Sequence, residues 1–368
     1  MSVYTLEPRD AAVFRDGRPV PTGASTMRTL AFPWPSTIAG LARTRAGSDR
    51  EGRFVGDPEK LKKEVCVRGP WLARLGADDA PELLFPAPRD LVWFHDEARG
   101  LAPSARLLRR LAPLPRDRLT GVEHDLDDRL GVVGFVGADP PSGKPADGPP
   151  FWAWGEMARW LGDPTERQVS DASALGAPPL ERERRVHVAI EPDRQTAEEG
   201  ALFASEGLRF VDPARQRFAL AFDSSHPSLT EHGGVVSLGG ERRTTFLRAA
   251  RAALPACPPA VERAEGRVRR VVLTTPAIFK DGAVPRQIRG AQVTAAVVGR
   301  PDIISGWDFA SGRPKPTRRM APAGSVYWVM VPEEQSVEAW CRRVFMESIS
   351  DDEQDQRDGF GVALVGVA

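Results

Sequence analysis

The 34 glycines and 34 prolines scattered through 368 residues are the feature that most limits this chain. Proline withholds a backbone donor and glycine favours turns, so few stretches can sustain a long helix and the fold must be rich in loops and strands. The length exceeds what one hydrophobic core usually fills, which predicts two domains, residues 1–180 and 181–368. Apolar residues at 41% and charged residues at 27% exclude a disordered or fibrous chain and fit a soluble globular one.

Residues 2–6 alternate polar and apolar and run into Pro8, as a short strand ended by proline would. Beyond the loop Phe14-Arg15-Asp16-Gly17-Arg18-Pro19, two prolines deliver Ser36 and Thr37 to an Ile38/Leu41/Ala42 pattern. That arrangement predicts a helix capped by one of the two hydroxyls. Residues 47–150 read as irregular, with extended pieces at 83–85 and 91–94, an arginine-rich helix near 101–111 and a Pro/Gly loop at 137–150. A helix is expected over 151–161, its Trp152, Trp154 and Trp160 turned to the core. From there strand follows strand, at 186–190, 202–210, 218–222, 235–238, 268–274, 293–298, 326–331 and 362–367, interrupted by helices at 244–253 and 336–345. Strands interleaved with a few helices point to an α+β fold, and two split βαβ sheets account for the length.

Fifty basic residues cancel 50 acidic ones, so any site for a polyanion must be a local patch. Arginines and lysines cluster at 106–110, 182–185, 242–243, 267–270 and 315–319, where each cluster is either a solvated, salt-bridged face or a contact surface. Cys66, Cys257 and Cys341 are widely spaced with no CxxC pair, which predicts reduced, buried thiols in a cytoplasmic protein. The charged first twenty residues lack the apolar core of a signal peptide, and no stretch has the length of a membrane span. His95, His124, His187, His226 and His232 accompany neither a GxSxG elbow nor an HExxH motif, so no catalytic triad, metal site or cofactor is expected.

Two glycine-rich segments stand out, 233–243 with Gly239, Gly240, Arg242 and Arg243, and 359–362 with Gly359 and Gly361. Neither carries the Lys-Ser/Thr of a P-loop. They are either places where backbone amides approach a sugar-phosphate chain closely or tight turns between strands. The stretch 308–319 holds Lys315, Arg318 and Arg319 in a loop kept extended by prolines, the best basic patch in the chain.

Taken in order, FRDGRP (14–19), PSTIAG (35–40), TAEEGALF (196–203) with Glu206, SLGGER (237–242), GWD (306–308) with GRPK (312–315) and the terminal GFG (359–361) resemble the Cmr subunit three family, part of the RAMP superfamily of CRISPR proteins. The resemblance implies two ferredoxin-like, RRM-like βαββαβ domains with long loop insertions. It further implies a non-catalytic RNA-binding subunit of a type III-B antiviral complex, holding the 5′ tag of the guide crRNA. The expected neighbours are the large polymerase-like subunit and the backbone subunit at the 5′ end. On that reading the RNA contacts are Arg15, Arg18, Ser36, Thr37, Gly239, Gly240, Arg242, Arg243, Gly359 and Gly361, joined on residue chemistry by Arg43, Lys315, Arg318 and Arg319. The TAEEGALF segment, whose Glu198 and Glu199 would repel phosphate, is instead a structural or subunit-contact element.

Aromatics are only 7% and no RNP-like aromatic pair is present, so binding is expected from loops and backbone rather than base stacking. The alternative is a metal-independent endoribonuclease in which His187 acts as general base on a ribose 2′-hydroxyl. A third reading gives exposed apolar loops, including Trp34 and Trp93, to a neighbouring subunit.

Overall fold

The computed structural model describes residues 2–15, 26–95, 105–121, 123–137, 144–231, 233–308 and 312–368. It is a strand-rich α+β protein with few helices. Two compact units form, each gathered from three separate stretches: residues 1–81, 179–252 and 303–318 make the first, and residues 82–178, 253–302 and 319–368 the second. The boundary read near residue 180 falls at one of five places where the chain passes between units.

In the first unit, strands Ser2–Pro8, Val67–Leu75, Arg217–Ser224 and Arg243–Ala249 make one antiparallel sheet. Numbered along the chain, these four lie in the spatial order two, three, one, four, with Gly234–Leu238 added beyond the fourth. The first strand is central because Val3, Tyr4 and Leu6 are buried, with Tyr4 stacked on Phe222 at 5.3 Å. Residues 244–253 are therefore not a helix as expected. Arg243–Ala249 is a strand paired on one side with the first strand and on the other with Gly234–Leu238, burying alternate residues Thr245 and Leu247. Two-sided pairing supplies every backbone bond a helix would have made internally.

Helix Pro35–Ala46 follows the first strand and packs Ile38, Ala39, Leu41 and Ala42 inward, against Val67–Leu75 and Gly234–Leu238. Its start differs from the expected one: Trp34 is the N-cap, with no side-chain capping bond, and Pro35 opens the first turn. Proline's fixed φ suits that position, and Ser36 and Thr37 consequently lie inside the helix, where their hydroxyls do not cap. Arg182–Glu191 and Thr196–Leu208 form a long hairpin, called the arm here, and the TAEEGALF segment lies on its second strand.

In the second unit, strands Val268–Leu273, Ala291–Val297, Val326–Met330 and Val362–Val367 repeat the spatial order two, three, one, four, again antiparallel. Helix Val337–Val344 connects the third to the fourth, capped by the Ser336 hydroxyl, which accepts from the Ala339 amide at 3.4 Å. No helix joins the first to the second; helices Trp154–Gly162 and Pro259–Glu262 pack on the Val362–Val367 strand. Behind this packing, Asp90 and Arg270 form a fully buried ion pair, and the Trp160 indole donates to Asp90 at 3.0 Å.

Four other expectations change here. The arginine-rich stretch is a strand, Arg106–Pro113, paired with Leu91–His95 and burying Leu108; residues 101–104 lie outside the described part. Residues 151–161 split into a strand, Phe151–Ala153, and a helix, Trp154–Gly162; Trp152 and Trp160 are core, while Trp154 is half-buried. Trp93 sits buried in a strand against Trp152 and Trp34 is half-buried, so neither is an exposed docking loop. Among the cysteines Cys341 is buried and Cys257 half-buried, its thiol pushed up to about 12 by burial, but Cys66 is exposed. Among the described residues no helix is long and apolar enough to cross a membrane.

Candidate nucleic-acid interface

Three stretches of the first unit, the third some 180 residues beyond the second, line one open groove of about 660 Å³. Residues 13–15, just past the first strand, form one part; Thr37, Leu41, Thr44 and Arg45 along helix Pro35–Ala46, with Ser48 and Gly52 beyond its end, form the second; the hairpin of Gly234–Leu238 and Arg243–Ala249 forms the third. Among the described residues, its charged lining groups are Arg15 and Arg45, with no carboxylate. Hydroxyls of Thr37, Thr44, Ser48, Ser237 and Thr244 and apolar surfaces of Phe14, Leu41 and Val235 complete it. Cations, hydroxyls and apolar patches without an acid suit a sugar-phosphate chain with its bases.

The groove's first wall is fixed by Thr29. Its hydroxyl accepts from the Phe14 amide at 3.0 Å, and Leu30 donates its amide to the Phe14 carbonyl at 2.7 Å, which holds Arg15 at the rim in an exposed position. The third wall is tied to the first by the Gly240 amide, which donates to the Val13 carbonyl at 2.7 Å. Gly239 makes this approach possible: it adopts φ 69° and ψ −151°, and a Cβ there would meet the Val13 oxygen at 2.3 Å. Such a backbone conformation is essentially reserved for glycine.

The hairpin then turns through Glu241 and Arg242, with φ of 57° and 51°, and closes with the Arg243 amide on the Gly240 carbonyl. Arg242 stands exposed at the tip with no carboxylate partner among the described residues. Arg243 is held, reaching Asp10 at 3.4 Å and Glu241 at 3.1 Å.

Of the residues singled out from sequence, Arg15, Thr37, Gly239 and Gly240 line the groove, and Arg242 and Arg243 extend from its edge. Ser36 is half-buried outside the lining, and Arg43 turns away to donate to the Val65 carbonyl at 3.3 Å. Arg18 lies outside the described residues. Lys315, Arg318 and Arg319 are all exposed, with the Lys315 amide bonded to the Gly306 carbonyl at 2.7 Å. Gly359 and Gly361 belong to the second unit and are buried; their amides donate to Gln356 and Pro276 carbonyls, as in the tight-turn reading of that segment.

Sequence reasoning missed Arg45, Thr44 and Ser48. For Thr44 and Arg45 the signal was present as spacing, since positions 37, 41, 44 and 45 share one helical face while Arg43 does not; Ser48 lies just beyond the helix end. His187 lies half-buried on the arm, its Nε2 2.8 Å from the Ser205 hydroxyl and its ring stacked on Phe203 at 4.9 Å. Among the described residues no group of three or more His, Cys, Asp or Glu is placed to hold a metal.

Comparison with known families is direct. The model of the family described as CRISPR-associated protein (Cas_Cmr3) matches residues 4–368. The chain belongs to that family. The family assignment spans both units and every segment that lines the groove. No curated protein matches. Among solved structures, this family member is similar to a chain of the type III-B Cmr-beta complex bound to cognate target RNA and AMPPnP, state 1, at a TM-score of 0.48 and 16% identity, covering 89% of this chain and 86% of that one. A chain of the same complex bound to cognate target RNA gives 0.48 and 15% over the same shares.

Proposed function

We propose that this chain is a non-catalytic, RNA-binding subunit of a type III-B Cmr complex, holding the 5′ tag of the guide crRNA and docking to the large polymerase-like subunit and the backbone subunit. The observation that carries the reading is the convergence of the FRDGRP start, the PSTIAG helix and the SLGGER turn on one cationic groove that has no carboxylate among its described lining residues. The third of these segments lies some 200 residues from the first two in a chain of a CRISPR-associated family, and their meeting at a groove suits a shared ligand. The repeated two, three, one, four strand order supports reading both units as ferredoxin-like. The exposed Val186, Val188, Ile190 and Leu202 of the arm offer an apolar surface to a neighbouring subunit.

The test is binding of a labelled single-stranded RNA carrying the guide's 5′ tag by the full chain, across a salt series. Arg15→Ala with Arg242→Ala should weaken binding at low salt and flatten log Kd against log salt by about 0.7 for each phosphate contact removed. An affinity and slope equal to the parent's would overturn the proposal. The same assay separates scaffold from nuclease: the RNA should stay intact with the parent and with His187→Ala, whereas metal-independent cleavage lost in that variant would make His187 a general base.

A further inference from the structure

Asp10 sits in the middle of the short segment that links the arm, the glycine hairpin and the groove. On one side of it Arg9 donates its amide to the Thr244 carbonyl at 3.1 Å. On the other, Ala12 and Leu208 of the arm exchange amide and carbonyl bonds at 3.0 and 2.8 Å, and Val13 receives the Gly240 amide. The Asp10 carboxylate spans the same three parts through side chains. Its Oδ1 and Oδ2 accept from Arg185 Nη2 and Nη1 at 2.7 and 3.1 Å, a two-pronged pair with the arm. Oδ2 also accepts from Arg243 Nη1 at 3.4 Å, at the foot of the glycine turn. Arg185 is held in turn by Glu183, and Arg243 by Glu241.

We infer that Asp10 is a positioning residue for RNA binding: by gripping Arg185 and Arg243 together it holds the glycine turn against residues 9–15 and so sets the width of the groove. A lone exposed ion pair contributes little, but this carboxylate closes a network of two arginines and two further acids in which one arm is bidentate. Asp10 does not line the groove. Its negative charge, placed near a site for a polyanion, opposes binding by simple electrostatics, so its value there is geometric. The two effects have opposite signs, which makes the inference testable. It rests on the RNA-binding reading above.

The experiment compares the full-length parent with Asp10→Asn and Asp10→Glu, using the same single-stranded RNA, a salt series and amide hydrogen exchange at Gly240. Positioning requires Asp10→Asn to weaken binding about fivefold with an unchanged salt slope, to speed exchange at Gly240, and Asp10→Glu to restore both. Tighter binding with a steeper salt slope in Asp10→Asn would mean the residue acts as a charge only and would overturn the inference. Unchanged affinity with unchanged exchange would overturn it too. Arg243→Gln gives a second line: its effect and that of Asp10→Asn must be less than additive in the double variant, and full additivity counts against the network. If the parent itself binds RNA without salt dependence while Gly240 exchange still rises in Asp10→Asn, the RNA reading falls and the structural grip stands, so the two failures are distinguishable.

Discussion

Gly239 and the Asp90–Arg270 pair are single positions where the physical chemistry leaves little freedom. Gly239→Ala forces a side chain into a glycine-only conformation and onto the Val13 carbonyl, so denaturant unfolding should register a loss of roughly 2–3 kcal/mol. A loss under 0.5 kcal/mol would mean that the turn relaxes freely. Asp90 and Arg270 have no exposed side-chain surface, and Asp90→Ala strands a buried guanidinium, which costs about 3–5 kcal/mol. Adding Arg270→Met in that background removes the stranded cation and should recover part of the loss; a double variant as unstable as the single one would contradict this account. The Asp90–Arg270 pairing was not legible in the sequence. Arg270 stood in one of five basic clusters, indistinguishable by composition from Arg242, because the partner that buries it lies 180 residues away. Gly239 belonged to a segment read either as a close approach to a sugar-phosphate chain or as a tight turn; it lies in the turn, and the group it faces there is the Val13 carbonyl.

The glycine hairpin is the element on which binding and stability should part company. A two-residue turn with positive φ at both central positions favours Asn-Gly, and here Glu241 and Arg242 occupy them. Replacing the pair by Asn-Gly should therefore stabilise the protein by roughly 1 kcal/mol, seen as a higher melting temperature, while RNA affinity falls with the loss of the Arg242 cation. Equal or lower stability would show that the Glu241–Arg243 contact outweighs the backbone strain. Among the elements, strands with strong alternation or long β-branched runs were readable in place, notably Arg217–Ser224, Val326–Met330 and Val362–Val367. Residues 106–111 and 244–249 were misread because leucine, alanine and arginine favour helix locally. Pairing with the preceding strand Leu91–His95 and with the remote strand Ser2–Pro8 overrides that preference.

At the scale of the whole molecule, a chain with no net charge presents a groove with two cations and no acid among its described lining residues, so on the proposed reading its affinity for a polyanion is local and salt-sensitive rather than a general property. The units are interleaved along the chain, which has a direct consequence for fragments. A fragment of residues 181–368 lacks the Ser2–Pro8 strand from the middle of one sheet, and keeps Arg270 without Asp90 or Trp160 in the other unit. It should therefore show no cooperative thermal transition; a sharp, reversible one would mean that those long-range partners are dispensable. By itself the sequence determined a strand-rich α+β chain, the approximate place of most strands after residue 186, the family, and the segments from which a groove could be made. Its short-range pattern of hydrophobic, proline and glycine residues carries that much, since each is a preference of a few neighbouring residues. Only the tertiary structure decided which arginines are spent on buried or surface carboxylates, which glycines are enclosed, and that residues 13–15, one helical face and a distant hairpin turn meet. Those outcomes depend on antiparallel pairing between strands some 200 residues apart, and no local pattern names the strand that will lie alongside.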